Sequence, residues 1–227
     1  MRVALIFVRR RGEPPPPKTL WPFVSDPSPA PVSKTDLAAP LAAVRACTVC
    51  APHLPHGVRP VVQLGASARL VIVGQAPGSK VHASGIPWQD DSGDRLLGWL
   101  GIDRPTFDDP DQVAMIPMGF CYPGGGKAAD LPPRPECAPL WHDRLLALLP
   151  QRRLTLLVGL HAQTRYLPDR ATKTLTETVR DFRTHAPGHF PLPHPSWRSV
   201  TWMKRNPWYA DEVLPALRAA VRAALDD

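Results

Sequence analysis

The stretch Leu70-Val71-Ile72-Val73-Gly74-Gln75-Ala76-Pro77-Gly78 carries the first decisive signal. Four aliphatic residues, most of them β-branched, form a run too short for a helix and too continuous for a half-exposed strand. It reads as a strand buried on both faces. Two glycines and a proline then demand a tight loop in which the backbone lies open to a ligand. A strand that ends in such a loop belongs in a parallel sheet, where ligands bind at the carboxyl ends of strands.

Working outward, Val113–Met118 and Leu154–Leu160 repeat the buried-strand pattern, and Phe190–Leu192 is a brief fourth strand. Helices are expected between them: Asp94–Leu100, Ala138–Leu149, Ala162–Leu167 and Thr172–Arg183. Upstream, Asp36 should cap a helix over Leu37–Ala46, with Pro40 near its first turn. Downstream, Asn206 and Pro207 should open a terminal helix that Pro215 kinks or restarts before about Leu225. Alternating strands and helices predict an α/β fold, a three-layer sandwich around a central, mostly parallel four-stranded sheet. Residues 1–35 are basic, Pro-rich and aperiodic and read as a peripheral arm, leaving 36–227 as one domain.

The chain has 227 residues, 44% of them hydrophobic, so a substantial core is expected and global disorder is not. A formal charge of +7 favours a polyanionic partner such as nucleic acid. Thirty prolines, far above the usual ~5%, predict many rigid loops that present groups to a ligand. No stretch approaches the ~20 apolar residues of a membrane span. The apolar run Val3–Val8 is short and followed by basic residues, so no signal peptide and a cytoplasmic location are expected. There thiols stay reduced, and cysteines suggest metal before disulfides.

The four cysteines are Cys47, Cys50, Cys121 and Cys137. Cys47-Thr48-Val49-Cys50 is a C-x₂-C pair; seventy residues follow before Cys121, and fifteen more before Cys137. Soft thiolates in a set of four fit zinc or an iron–sulfur cluster. His53, His56 and His82 lie near enough in sequence to join a zinc site instead.

This cysteine spacing resembles that of the iron–sulfur uracil-DNA glycosylases typical of thermophiles, and the resemblance runs from Cys47 to the C-terminus. The family's G-E-A/G-P-G loop matches Gly74–Gly78, its G-x-P-F matches Gly85-Ile86-Pro87-Trp88, and its H-P-S matches His194-Pro195-Ser196. Asp90-Asp91-Ser92-Gly93-Asp94 is similar to a G-D-x-S-G-D motif of a related iron–sulfur branch. The resemblance implies a [4Fe–4S] cluster on the four cysteines. It also implies an enzyme that flips a deaminated base, uracil above all, out of DNA and hydrolyses its N-glycosidic bond to leave an abasic site. Trp88 takes the place of the family's stacking phenylalanine, and His194 that of the histidine supporting charge on the departing base. Asp90 is the candidate for orienting water.

Two positions depart from the pattern. Ala76 stands where classical members carry an aspartate, and Pro117 where the family has a base-reading asparagine. Recognition is therefore expected from Gln75, Ala76, Trp88 and the backbone of Met118–Phe120. The segment His194–Trp208 reads as a DNA-facing loop. In it Ser196, Trp197, Arg198, Lys204 and Arg205 meet the duplex, and Trp197 serves as a wedge. Damaged DNA is the expected partner, with no membrane and no second subunit. The competing readings are a DNA-binding protein that has lost excision, a glycosylase for another base, and a zinc enzyme.

Overall fold

In a computed structural model, residues 33–127 and 129–226 are described; apart from its last three residues, the basic arm lies outside them. The sheet has four strands, β1 (Leu70–Val73), β2 (Val113–Met115), β3 (Leu154–Val158) and β4 (His189–Leu192). They lie in the order β2-β1-β3-β4, and every pairing is parallel. Every residue of β1 is fully buried, as a strand covered on both faces requires.

The two faces carry two cores. Leu70 and Ile72 pack with Leu96, Phe107, Val179 and Leu217 on one side. Val71 and Val73 pack with Val44, Trp141 and Leu145 on the other. The helices concerned are α1 (Lys34–Arg45), α2 (Ser79–Ser84), α3 (Asp91–Leu100), α4 (Arg104–Asp108) and α5 (Cys137–Leu146). They are followed by α6 (Leu160–Tyr166), α7 (Leu175–Arg180), α8 (Trp197–Arg205) and α9 (Leu214–Leu225). This is the expected three-layer α/β sandwich.

Several boundaries differ from expectation for local reasons. Helix α1 starts three residues early because Ser33, not Asp36, is its cap. Asp36 instead closes a capping box by bonding back to the Ser33 backbone. Strand β2 stops at Met115 rather than Met118, and β3 at Val158 rather than Leu160, where Gly159 turns at φ 89°. Asn206 ends a helix instead of starting one: its side-chain amide donates to the Trp202 carbonyl, and α8 fills the segment read as a loop. Pro215 does restart the terminal helix, after one π-helical turn over Tyr209–Val213.

One buried polar group belongs to this frame. His142, fully buried, stacks on Phe120 and bonds Tyr166 Oη at 2.6 Å and the Pro117 carbonyl at 3.0 Å. A carbonyl only accepts, so Nε2 carries the proton and Nδ1 accepts from the tyrosine. Burial holds the imidazole neutral, its pKa pushed down to about 4. Between the unfolded value of about 6.5 and that value, the unfolded chain binds the extra proton, so stability falls as pH drops. We expect about 3 kcal/mol to be lost from this group between pH 7 and pH 4. Denaturant melts across that range should show the slope, and His142→Gln should flatten it.

Candidate active site

The order β2-β1-β3-β4 sends the chain outward in opposite directions from the β1/β3 pair, and the crevice beyond such a switch point is where α/β sheets bind ligands. The loops after β1 and β4 meet there. The first, Gly74–Gly78, is held from the side by the chain leaving β2: Met118 N–H donates to the Gly74 carbonyl at 2.9 Å and Gly119 N–H to the Gln75 carbonyl at 3.0 Å.

Trp88 is the only described non-glycine residue with positive φ, at 56°. Such a backbone is uncommon and clusters at functional sites. Two glycines make it possible. A Cβ on Gly74 would lie 2.8 Å from Trp88 Cζ2, so the indole rests on bare backbone. A Cβ on Gly93 would lie 1.7 Å from the Trp88 carbonyl oxygen, so only glycine allows α3 to start against this turn. Asp90 caps α3, its Oδ1 accepting from Gly93 N–H at 2.8 Å, and still lines the pocket. One side chain thus both caps α3 and lines the cavity.

His194 follows β4 and packs on the turn at Gly159, whose built Cβ would be 3.3 Å from His194 Cβ. Its ring lies 6.0 Å from that of Trp88, tilted by 32°. Burial lowers its pKa below the usual histidine value, and the Asp90 charge opposes that shift only in part. Arg95 fixes the turn from behind, Nη1 donating to the Pro195 carbonyl at 2.6 Å.

Gln75, Ala76, Trp88, Asp90, His194, Ser196, Trp197 and Arg198 line one cavity of about 410 Å³. Ser196 is the N-cap residue of α8, Trp197 stands 69% exposed at the rim, and Arg198 lies over the Trp197 ring at 5.0 Å. Pro117 is also in the wall. Met118 and Phe120, expected to meet the base, are not in this wall. The Met118 amide is taken by Gly74, and the Phe120 amide and carbonyl by Cys137 Sγ and Val61 N–H. Lys204 and Arg205 are exposed but sit at the far end of α8, about 12 Å along its axis from the pocket rim. The sequence reading missed Asp130 and Leu131, which reach the cavity on a hairpin that no local motif marks.

All four cysteines are free and line one smaller cavity with Val44, Leu54, Phe120 and Trp141. Among the described residues no three His, Cys, Asp or Glu side chains are gathered as the ligands of a single ion would be. His56 and His82 pack on the Tyr122 ring, at 5.0 and 5.8 Å, instead of joining the cysteines. Burial raises the thiols of Cys50 and Cys121 and pushes Cys137 up to about 12. Four thiols against an apolar lining are a donor set that fits a soft metal centre, zinc or iron–sulfur alike.

The fold and this pocket are those of an α/β protein that binds its ligand at the carboxyl ends of the strands. The model of the Uracil DNA glycosylase superfamily matches residues 62–218, and the chain belongs to that superfamily, which supports a glycosylase-type enzyme. The match takes in both active-site loops, Cys121 and Cys137, and begins after Cys47 and Cys50. It makes DNA the partner and repair the setting; no described helix is long and apolar enough to cross a membrane.

Proposed function

We propose that the protein is a monofunctional, monomeric uracil-DNA glycosylase of the iron–sulfur branch, working in the cytoplasm. The observation that carries this reading is the convergence of Trp88, Asp90 and His194 on one cavity at the carboxyl ends of the strands. A flipped base stacks on the Trp88 indole, worth about 1–3 kcal/mol by the measure of other base–aromatic stacks. As the C1′–N bond breaks, the neutral His194 imidazole donates a hydrogen bond to the oxygen on which charge develops. Asp90 faces the sugar, where an anion steadies positive charge and orients water.

Cys47, Cys50, Cys121 and Cys137 would hold the [4Fe–4S] cluster. When bound, the cluster supplies cross-linking rather than base chemistry, tying the end of α1 to the start of α5 and the chain after β2.

Pro117 favours a second reading, because a proline in the pocket wall has no amide to read a pyrimidine edge. In that reading the enzyme excises another deaminated base or has weak activity. Duplex and single-stranded oligonucleotides carrying uracil, hypoxanthine or xanthine separate the two. Preferential release of uracil supports the first; preference for a purine, or binding without release, overturns it.

The exposed Trp197 fits a wedge into the stack, while Lys204 and Arg205 are free to meet phosphates further along the groove. Replacing both basic residues with glutamine should reduce the slope of log K against log salt by about 2 and leave excision at saturating enzyme unchanged. Fluorescence anisotropy at several salt concentrations checks it.

A further inference from the structure

Between Cys121 and Cys137 the chain folds into a hairpin. Gly125 pairs with Asp130, Gly126 N–H donates to the Ala129 carbonyl at 2.7 Å, and Leu131 N–H to Gly124 at 2.9 Å. The hairpin returns over the Gly74–Gly78 loop and carries Asp130 into the pocket wall. Tyr122 Oη makes a long contact with Asp130 Oδ1 at 3.4 Å, on the side of the carboxylate away from Gly78.

A Cβ placed on Gly78 would lie 3.5 Å from Asp130 Oδ2 and 3.8 Å from Asp90 Oδ2. Each carboxylate thus has its Oδ1 directed elsewhere, to Tyr122 or to the α3 cap, and its Oδ2 turned toward the same space above Gly78. Two anionic acceptors facing one gap suit an occupant with two donors. Water has two O–H donors, and once both are used its lone pairs face away from the carboxylates, into the pocket.

We propose that Asp130 is a second catalytic carboxylate, which with Asp90 holds the attacking water above Gly78. This rests on the glycosylase reading. In the step, the C1′–N bond breaks with its electron pair going to the base, and the water oxygen bonds to C1′. One water proton passes to Asp90 and on to solvent, while the departing base anion gains a proton from water. Both carboxylates face the positive charge that gathers on the sugar meanwhile. Gly78 matters because its φ of −83° suits any residue, so its missing side chain serves the space rather than the backbone.

Single-turnover excision by wild type, Asp130→Asn, Gly78→Ala, Asp90→Asn and the double variant Asp90→Asn/Asp130→Asn tests this. Asp130→Asn keeps an oxygen for Tyr122, and Gly78→Ala fills the space with a methyl group at ordinary contact distance, so both should fold and melt like wild type. Each should slow excision by about 10²-fold while affinity for abasic-site DNA stays within about threefold. Two residues holding one water act as a unit, so the double variant should be less than about tenfold slower than Asp90→Asn alone. An Asp130→Asn rate within about twofold of wild type, or losses that multiply, overturns the proposal. If wild type releases no base from any oligonucleotide, the glycosylase reading fails instead. A high-resolution crystal structure then decides the water site: a water bonded to both Oδ2 atoms, and lost in Gly78→Ala, upholds it, and its absence in wild type removes it.

Discussion

Replacing His194 with alanine should slow base excision by about 10²- to 10³-fold, the usual cost of removing one preorganised donor from a developing anion. The size of the effect follows from how firmly the ring is held before substrate arrives. Gly159 packs against its Cβ, the Trp88 ring lies 6.0 Å away, and Arg95 ties down the next peptide. A donor fixed in advance costs no reorganisation during the reaction, so its removal is felt in the rate and little in binding. Affinity for DNA bearing an abasic site should stay within about threefold. Burial also keeps the imidazole neutral below the ordinary histidine pKa. Protonation would leave its N–H in place and only add charge to the donor, so its contribution should persist as pH falls through about 6.5. Single-turnover rates from pH 5 to pH 8 check both statements. A loss shared equally by binding and rate would sink the assignment.

The strands were readable because burial on both sheet faces leaves a signal within four or five residues: Leu70–Val73 and Leu154–Val158 are aliphatic almost throughout. The loops after β1 and β4 were readable because Gly74–Gly78 and His194-Pro195-Ser196 are short, ordered motifs, and the fold brings them together. Helix α8 was not. Its basic residues and proline-rich approach looked like a loop, while its apolar residues, Trp202 and Met203 among them, declare themselves only against the core. Met118 and Phe120 lie off the cavity wall for a related reason: sequence proximity to the site does not reveal that their backbone N–H groups are already bonded to Gly74 and Cys137. Asp130 left no trace at all. It enters through a hairpin whose path depends on pairing at Gly125 and on contact with Tyr122, neither of which is local to the motifs. That Asp90 caps α3 while lining the cavity was not legible either, because the cap uses one carboxylate oxygen and leaves the second turned toward Gly78.

The same separation of scaffold from chemistry sets the outcome expected for the cysteines. Protein purified without oxygen should be brown, with broad visible absorbance and about four irons and four sulfides per chain. Zinc would give a colourless protein and overturn the cluster. Cys137→Ser should bleach that absorbance, because this thiol opens α5 and is the most deeply buried of the four. It should also lower Tm by about 10 °C. Cross-linking residues 47 and 137 closes a loop of some ninety residues, worth about 4.6 kcal/mol by loop entropy, and each kcal/mol moves Tm of a domain this size by about 2–4 °C. The cysteine cavity and the base pocket are distinct, joined through Gly119 and Phe120, whose backbone links Gln75 on one side to Cys137 on the other. Well below its new Tm, the serine variant should therefore keep excision within about tenfold of wild type, unlike His194→Ala, which loses excision and keeps its melting point. Calorimetry beside single-turnover assays at 15 °C separates the two classes. A bleached variant that melts like wild type would mean that the cysteine centre does not brace the fold.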